Sequence, residues 1–213
     1  MSATVAVPPR GGAWLQTTSG GAWLAESPEA YDYDAHEIGH ALSCLGRFAG
    51  HAREFYSVAQ HSVHVAEIAT TDERTRGMNG SEILQLGRLA LLHDAAEAFC
   101  VDMPAPIKRM PEMEGYRHLI ARVERAICAR FASQIAMQAG GEAGSRRRLH
   151  DAIVAHADLV ALATEKRDLL GPTPWDDQWQ HLPPANVRVI RALDPMEASL
   201  LFCDAWDRYG GAR

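Results

Sequence analysis

Apolar residues recur every three or four positions along most of this chain, and that spacing predicts helices. Ile38, Ala41, Leu42 and Leu45 form the first stripe. Asp34 stands where a cap belongs, with Glu37 three residues on as in a capping box. The helix is expected to run out at Leu45-Gly46, leaving Arg47 at or just beyond its end. A second stripe, Val58, His61, Val65 and Ile68, carries a histidine in the middle of its apolar face, with His64 as a weaker candidate one turn on. Ile83, Leu84, Leu86, Leu89, Leu91 and Leu92 predict a third, strongly apolar and central helix that delivers His93-Asp94. Tyr116 to Phe131 predicts a long amphipathic helix reaching about Gln138. Leu149 to Leu170 predicts another, with Ile153, Val154, Ala157, Val160 and Ala161 inward and Asp158 among them. Asp194-Pro195-Met196-Glu197 is a clear start signal for a last helix through Leu200, Leu201 and Trp206.

The remaining stretches read differently. Ala13 to Thr17 and Ala22 to Leu24 flank Thr18-Ser19-Gly20-Gly21, which suggests a small hairpin. Met1 to Gly12 is expected to fray. Pro104 and Pro106 are expected to stop any helix and stiffen the connector from Asp102 to Lys108. Ala139 to Ser145 reads as a flexible link, and Arg146-Arg147-Arg148 as a solvated helix start. Gly171 to Pro184 reads as an ordered loop able to cover a pocket. No repeat or second composition regime appears. The expected fold class is all-α: residues 1–12 a terminus, 13–30 a β-hairpin extension and 31–213 one helical bundle.

Composition narrows the function. The 213 residues are 47% hydrophobic and 23% charged, an ordinary soluble composition, and the net charge of -6 argues against nonspecific nucleic-acid binding. The four cysteines, Cys44, Cys100, Cys128 and Cys203, form no close pair and read as reduced thiols of a cytoplasmic protein. The first residues hold no signal-peptide apolar core, and no apolar window suggests a membrane span.

The chemistry concentrates in Leu91-Leu92-His93-Asp94-Ala95-Ala96-Glu97. Burying such polar groups unpaired costs roughly 2–7 kcal/mol each, more for a charge, and a metal ion would compensate that cost. Each residue also has a bland reading: His61 as a hydrogen-bonded core residue, Asp158 as half of a salt bridge, Arg47 as a solvated cap, Lys108 as a solvated side chain. Together, His61, His93, Asp94 and Asp158 lie on three helices among apolar neighbours. Two histidines and two carboxylates suit one divalent ion (Mn, Co, Zn or Mg) with open positions for water.

The order His, His-Asp, Asp resembles the HD superfamily of metal-dependent phosphohydrolases. The fuller match runs through Arg47-Phe48, Tyr56-Ser57-Val58-Ala59-Gln60-His61-Ser62, Leu92-His93-Asp94-Ala95-Ala96-Glu97, Asp102-Met103-Pro104-Ala105-Pro106-Ile107-Lys108 and Ala157-Asp158. This set resembles the branch containing bacterial 5′-deoxynucleotidases and phage-type dATP triphosphohydrolases. The resemblance implies a single HD-domain helical bundle, with His61, His93, Asp94 and Asp158 as metal ligands and Glu97 as the acid/base residue. It implies phosphate contacts from Arg47 and Lys108, a further active-site acid at Asp102, a nucleotide substrate and a homo-oligomer. The 5′-deoxynucleotidases carry Arg-Trp where this chain has Arg47-Phe48, and the Gly171 to Pro184 loop has no counterpart. The implied activity is release of phosphate from a deoxynucleoside monophosphate. Triphosphate release from a dNTP such as dATP is the alternative. A non-catalytic nucleotide-binding regulatory module is the different-class alternative, although the chain retains every ligand and the acid/base residue. No GxxxxGK[ST] loop is present, which excludes a P-loop enzyme. No Gly-Tyr-Pro follows His93-Asp94, which argues against a cyclic-dinucleotide phosphodiesterase.

Overall fold

In the computed structural model, which describes residues 12–132 and 141–212 (side chains of the second stretch from 146), eight α-helices follow a two-stranded hairpin. Of the frayed terminus expected over residues 1–12, all but Gly12 lies outside the described residues, as does the helix continuation expected over 133–138. Strands β1 (Trp14–Gln16) and β2 (Ala22–Leu24) pair antiparallel, with Leu15 opposite Trp23. A lone hairpin is marginal in water, and this one is tied down by Trp23. Its ring stacks on Phe99 at 5.4 Å, and its Nε1 donates to the Tyr33 hydroxyl at 3.1 Å.

Helix α1 (Ala35–Ser43) starts at Asp34, whose carboxylate accepts from the backbone N–H of His36 and Glu37. The expected capping box does not form, because the Glu37 side chain turns instead to the Ser19 amide and the Tyr31 hydroxyl and anchors the hairpin. Helix α2 (Val58–Thr70) is capped by Ser57, which accepts from Gln60 N–H at 3.2 Å. It is the central helix, buried nearly all round and packed against α1, α3 (Gly80–Leu91), α7 (Gly141–Leu169) and α8 (Pro195–Arg208). The central position therefore belongs to α2 and not, as the apolar run suggested, to α3, whose first turns stay half exposed.

Helix α3 also stops earlier than its pattern suggests, at Leu91. Tight turns follow: Ala95 N–H donates to the Leu92 carbonyl and Glu97 N–H to the Asp94 carbonyl, before the short α4 (Glu97–Cys100). The prolines do not produce an irregular connector. Pro104 precedes and Pro106 sits inside the first turn of α5 (Ala105–Lys108), where a missing N–H costs nothing. Helix α6 (Glu114–Arg130) carries Ile120, Val123 and Ile127 into the core. Helix α7 already begins at Gly141, so the flexible link is not found over 141–145, while 139–140 lie outside the described residues. Arg146 and Arg147 are paired, with Glu82 and Asp151. At α8 the capping box forms as read, between Asp194 and Glu197, with Pro195 in the first turn.

Candidate metal centre and active site

Three backbone devices converge on one spot. His61 enters from the middle of α2, fully buried. His93 and Asp94 enter from the turns after α3. Asp158 enters from α7, its side chain 42% exposed and facing a cavity. One ligand atom each from His61, His93 and Asp94 lies within 4.8 Å of the others. Nε2 of His61 is 3.6 Å from an Asp94 oxygen and 3.2 Å from an Asp158 oxygen, and Nε2 of His93 is 3.2 Å from Asp94.

The donor set fits a cation. Both Nε2 atoms are buried without a hydrogen-bond partner, which is costly unless something else occupies that corner. The other ring nitrogens are engaged: Nδ1 of His93 with the Ala90 carbonyl at 2.7 Å, Nδ1 of His61 with Glu165 at 2.6 Å. Protons held at both Nδ1 atoms leave both Nε2 lone pairs directed into the cluster. Among the protein's own groups alone, burial and Arg47 push the His61 imidazole toward neutrality, but Glu165 and Asp158 outweigh them and raise it to about 9, so a cation would take the Nε2 lone pair in place of a proton. Burial alone would raise Asp94, but His93, His61 and Arg47 hold it far below the usual carboxylate range.

Arg47 is set by the chain on both sides. Its N–H donates to the Tyr56 carbonyl at 2.9 Å, and Val58 N–H donates to the Leu45 carbonyl at 3.0 Å, a short bridge that pins the α1–α2 connection. Its guanidinium meets Glu165 at 3.2 Å and Asp94 at 3.7 Å. Phe48 and Ala49 follow with φ of 58° and 51°, and Val101, just before Asp102, has φ of 62°. Among the described residues these are the non-glycine positions with positive φ. Phe48 lines the cavity beside Arg47 and Val101 directly precedes Asp102, so the strained backbone adjoins cavity residues along the chain.

Glu97 is buried, and Lys108 Nζ donates to it at 3.2 Å. Burial, with the charges of Asp94 and Asp102 added, lifts its carboxyl to about 8 despite Lys108. Asp102 is likewise raised, chiefly by burial. A cavity of about 390 Å³ joins Arg47, Asp94, Glu97, Asp102, Lys108 and Asp158. Every residue singled out as ligand, acid/base or phosphate contact thus borders this cavity or the cluster beneath it. His64 does not: it points away, toward a smaller cavity shared with Tyr56, Gln60 and Arg188. Glu165, fully buried and bonded to both His61 and Arg47, was missed from the sequence. Its signal was the seven-residue spacing from Asp158, which places both on one face of α7.

Comparison with known proteins decides the family. Residues 40–162, which contain every site residue expected from the sequence, match the family described as 5′-deoxynucleotidase YfbR-like. The chain belongs to the YfbR-like family. Membership brings the HD-type helical fold, hydrolase chemistry and metal dependence. An uncharacterized protein of Escherichia coli K12, YfdR, is 31% identical over 156 residues, covering 73% of this chain and 72% of YfdR. An uncharacterized protein of Rhodobacter capsulatus is 33% identical over 122 residues, covering 56% of this chain and 58% of that protein. Glu165, the Gly171 to Pro184 loop, α8 and the hairpin all lie outside the family match. No helix among the described residues is long and apolar enough to cross a membrane.

Proposed function

We propose that this protein is a metal-dependent 5′-deoxynucleotidase that hydrolyses the phosphoester of a deoxynucleoside monophosphate. One observation carries the reading: two buried, unpartnered Nε2 atoms lie against Asp94 and Asp158, and those carboxylates line a cavity that also receives Arg47, Glu97 and Lys108. His61, His93, Asp94 and Asp158 would hold one divalent ion, Mn, Co, Zn or Mg. Such an ion polarises a phosphoryl oxygen and makes water a stronger acid. Arg47 binds the remaining phosphoryl oxygens, a task its planar fork suits. With a cation offsetting the charge of Asp94 that helps raise its carboxyl, Glu97 would take the proton of the attacking water, and Lys108 keeps the Glu97 carboxylate oriented. The proton that Glu97 takes from water passes to the departing 5′ oxygen, and Asp102, lining the same cavity, is a further acid beside it.

The charge balance favours a monophosphate over a triphosphate. The cations at the cavity, Arg47, Lys108 and Arg109, face Asp94, Glu97, Asp102 and Asp158. Arg47 and Lys108 are already engaged with carboxylates. That leaves little positive field for the roughly two further charges that a triphosphate carries over a monophosphate. The test is product analysis in Mn²⁺ or Co²⁺ against all deoxynucleoside mono- and triphosphates. Orthophosphate from monophosphates is expected. Triphosphate plus nucleoside would transfer the assignment to a triphosphohydrolase. Binding without turnover would leave a nucleotide-binding module. A cytoplasmic location and a homo-oligomeric state belong to the same proposal, and sedimentation of the purified chain tests the second.

A further inference from the structure

Along α7, away from the metal cluster, the cavity wall changes character. Asp158 gives way one turn later to Leu162, and beyond it the wall is completed by Trp179 and His181 from the loop after α7. Trp179 is half-buried yet is not among the residues packed on the hydrophobic core. Its fixed contacts come from the end of α7 and from within the loop. Lys166 Nζ sits 5.9 Å from its ring centroid, donates to the Gly171 carbonyl at 3.1 Å and pairs with Asp176 at 2.8 Å. The Trp179 carbonyl accepts from Leu182 N–H at 3.0 Å, and Nδ1 of His181 bonds the Gln178 carbonyl at 2.8 Å. The turn Asp176–Trp179 is therefore ordered in place before any ligand arrives. Lys166 lies eight residues beyond Asp158 on α7, about 12 Å of helix rise, so the residue that holds the Trp179 ring is anchored about two turns from the charged end.

We propose that Trp179 forms the nucleobase subsite of this enzyme, gripping the base by its face while the phosphate lies at Arg47 and the metal cluster. The inference rests on the 5′-deoxynucleotidase reading and adds the residue that makes the substrate a nucleotide rather than a bare sugar phosphate. Stacking on an aromatic ring is tolerant of base identity, because every base offers a π-face. The subsite therefore distinguishes nucleotides from sugar phosphates and discriminates little among the bases.

Calorimetry in EDTA, where no hydrolysis runs, tests this with dAMP, dCMP and 2-deoxyribose 5-phosphate as probes. The unaltered chain should bind both nucleotides at least about tenfold more tightly than the sugar phosphate. Trp179→Ala should remove that gap, and Trp179→Phe should keep most of it. Equal affinity of the unaltered chain for dAMP and the sugar phosphate, or no binding of any probe, would overturn the subsite. So would a Trp179→Ala protein that loses the sugar phosphate as much as the nucleotides, since that would make Trp179 a structural strut. Turnover with Mn²⁺ is measured in parallel. Hydrolysis without a base-dependent gap rejects the subsite alone, whereas absence of hydrolysis rejects the enzymatic reading.

Discussion

The Glu165 carboxylate lies 2.6 Å from Nδ1 of His61, with both side chains fully buried. Glu165 holds Nδ1 of His61 and, through its 3.2 Å contact with Arg47, ties the His61–His93–Asp94 cluster to that guanidinium. Outer carboxylates of this kind commonly contribute 10–100-fold in metal affinity. Glu165→Gln is expected to bind Co²⁺ about tenfold more weakly in a spectroscopic titration while the far-ultraviolet circular dichroism stays that of the helical fold. Unchanged affinity would reduce Glu165 to a packing role.

Asp94 touches His61, His93 and Arg47 at once. Asp94→Ala should leave the purified protein without stoichiometric metal and without phosphatase activity, as should chelation of the unaltered protein. Elemental analysis and phosphate release check both. Activity that survives chelation would sink the metal mechanism.

Glu97 separates binding from chemistry. Glu97→Gln should retain metal and lose roughly 10²–10⁴-fold in kcat, the usual worth of a positioned acid/base group. Loss of metal instead would make Glu97 a ligand. Its carboxyl also writes a pH signature on the metal-free protein. Burial and neighbouring acids raise it from 4.5 to about 8 in the folded chain. Its stabilising contribution is therefore complete below pH 4.5 and is lost as pH rises through about 8. In EDTA, Tm of the unaltered chain should fall between pH 6 and pH 9 by more than that of Glu97→Gln. Parallel curves would show that the buried carboxyl is not so perturbed.

Gly39 tests the frame rather than the site. A Cβ there would collide with the ring of Phe202, where α1 meets α8. Gly39→Ala is expected to cost about 1–3 kcal/mol by overpacking and to lower Tm while metal stoichiometry persists. A Tm equal to that of the unaltered chain would mean that α8 shifts without cost.

Polar residues stranded among apolar ones were the readable part of the site. His61, His93, Asp94 and Asp158 stood out because their neighbours demanded burial. Glu165 did not, because Thr164-Glu165-Lys166-Arg167 reads as an ordinary solvated helix end. Helix starts were legible where a side chain does the capping, as at Asp34 and Asp194. Helix ends were less so: nothing in Leu91-Leu92-His93 announces that α3 yields to tight turns, since the reason lies in where His93 and Asp94 must point. Glu37 fits a capping box by spacing but serves the hairpin, a choice made by Tyr31 and Ser19 from outside the helix.

The aromatic cluster at the hairpin links these threads. Phe99, two residues after Glu97, meets Trp23, Tyr31 and Tyr33 at 5.4, 5.7 and 5.2 Å. The N-terminal hairpin is thus a brace behind this turn: Trp23 packs on Phe99 while Glu97 lines the cavity. A chain shortened to begin at Pro28 would keep every ligand and every cavity residue. It would nevertheless lose the Trp23 ring that stacks on Phe99 and leave Tyr31 and Tyr33 alone behind the turn that carries Glu97, so this small appendage bears on how firmly that carboxyl is held.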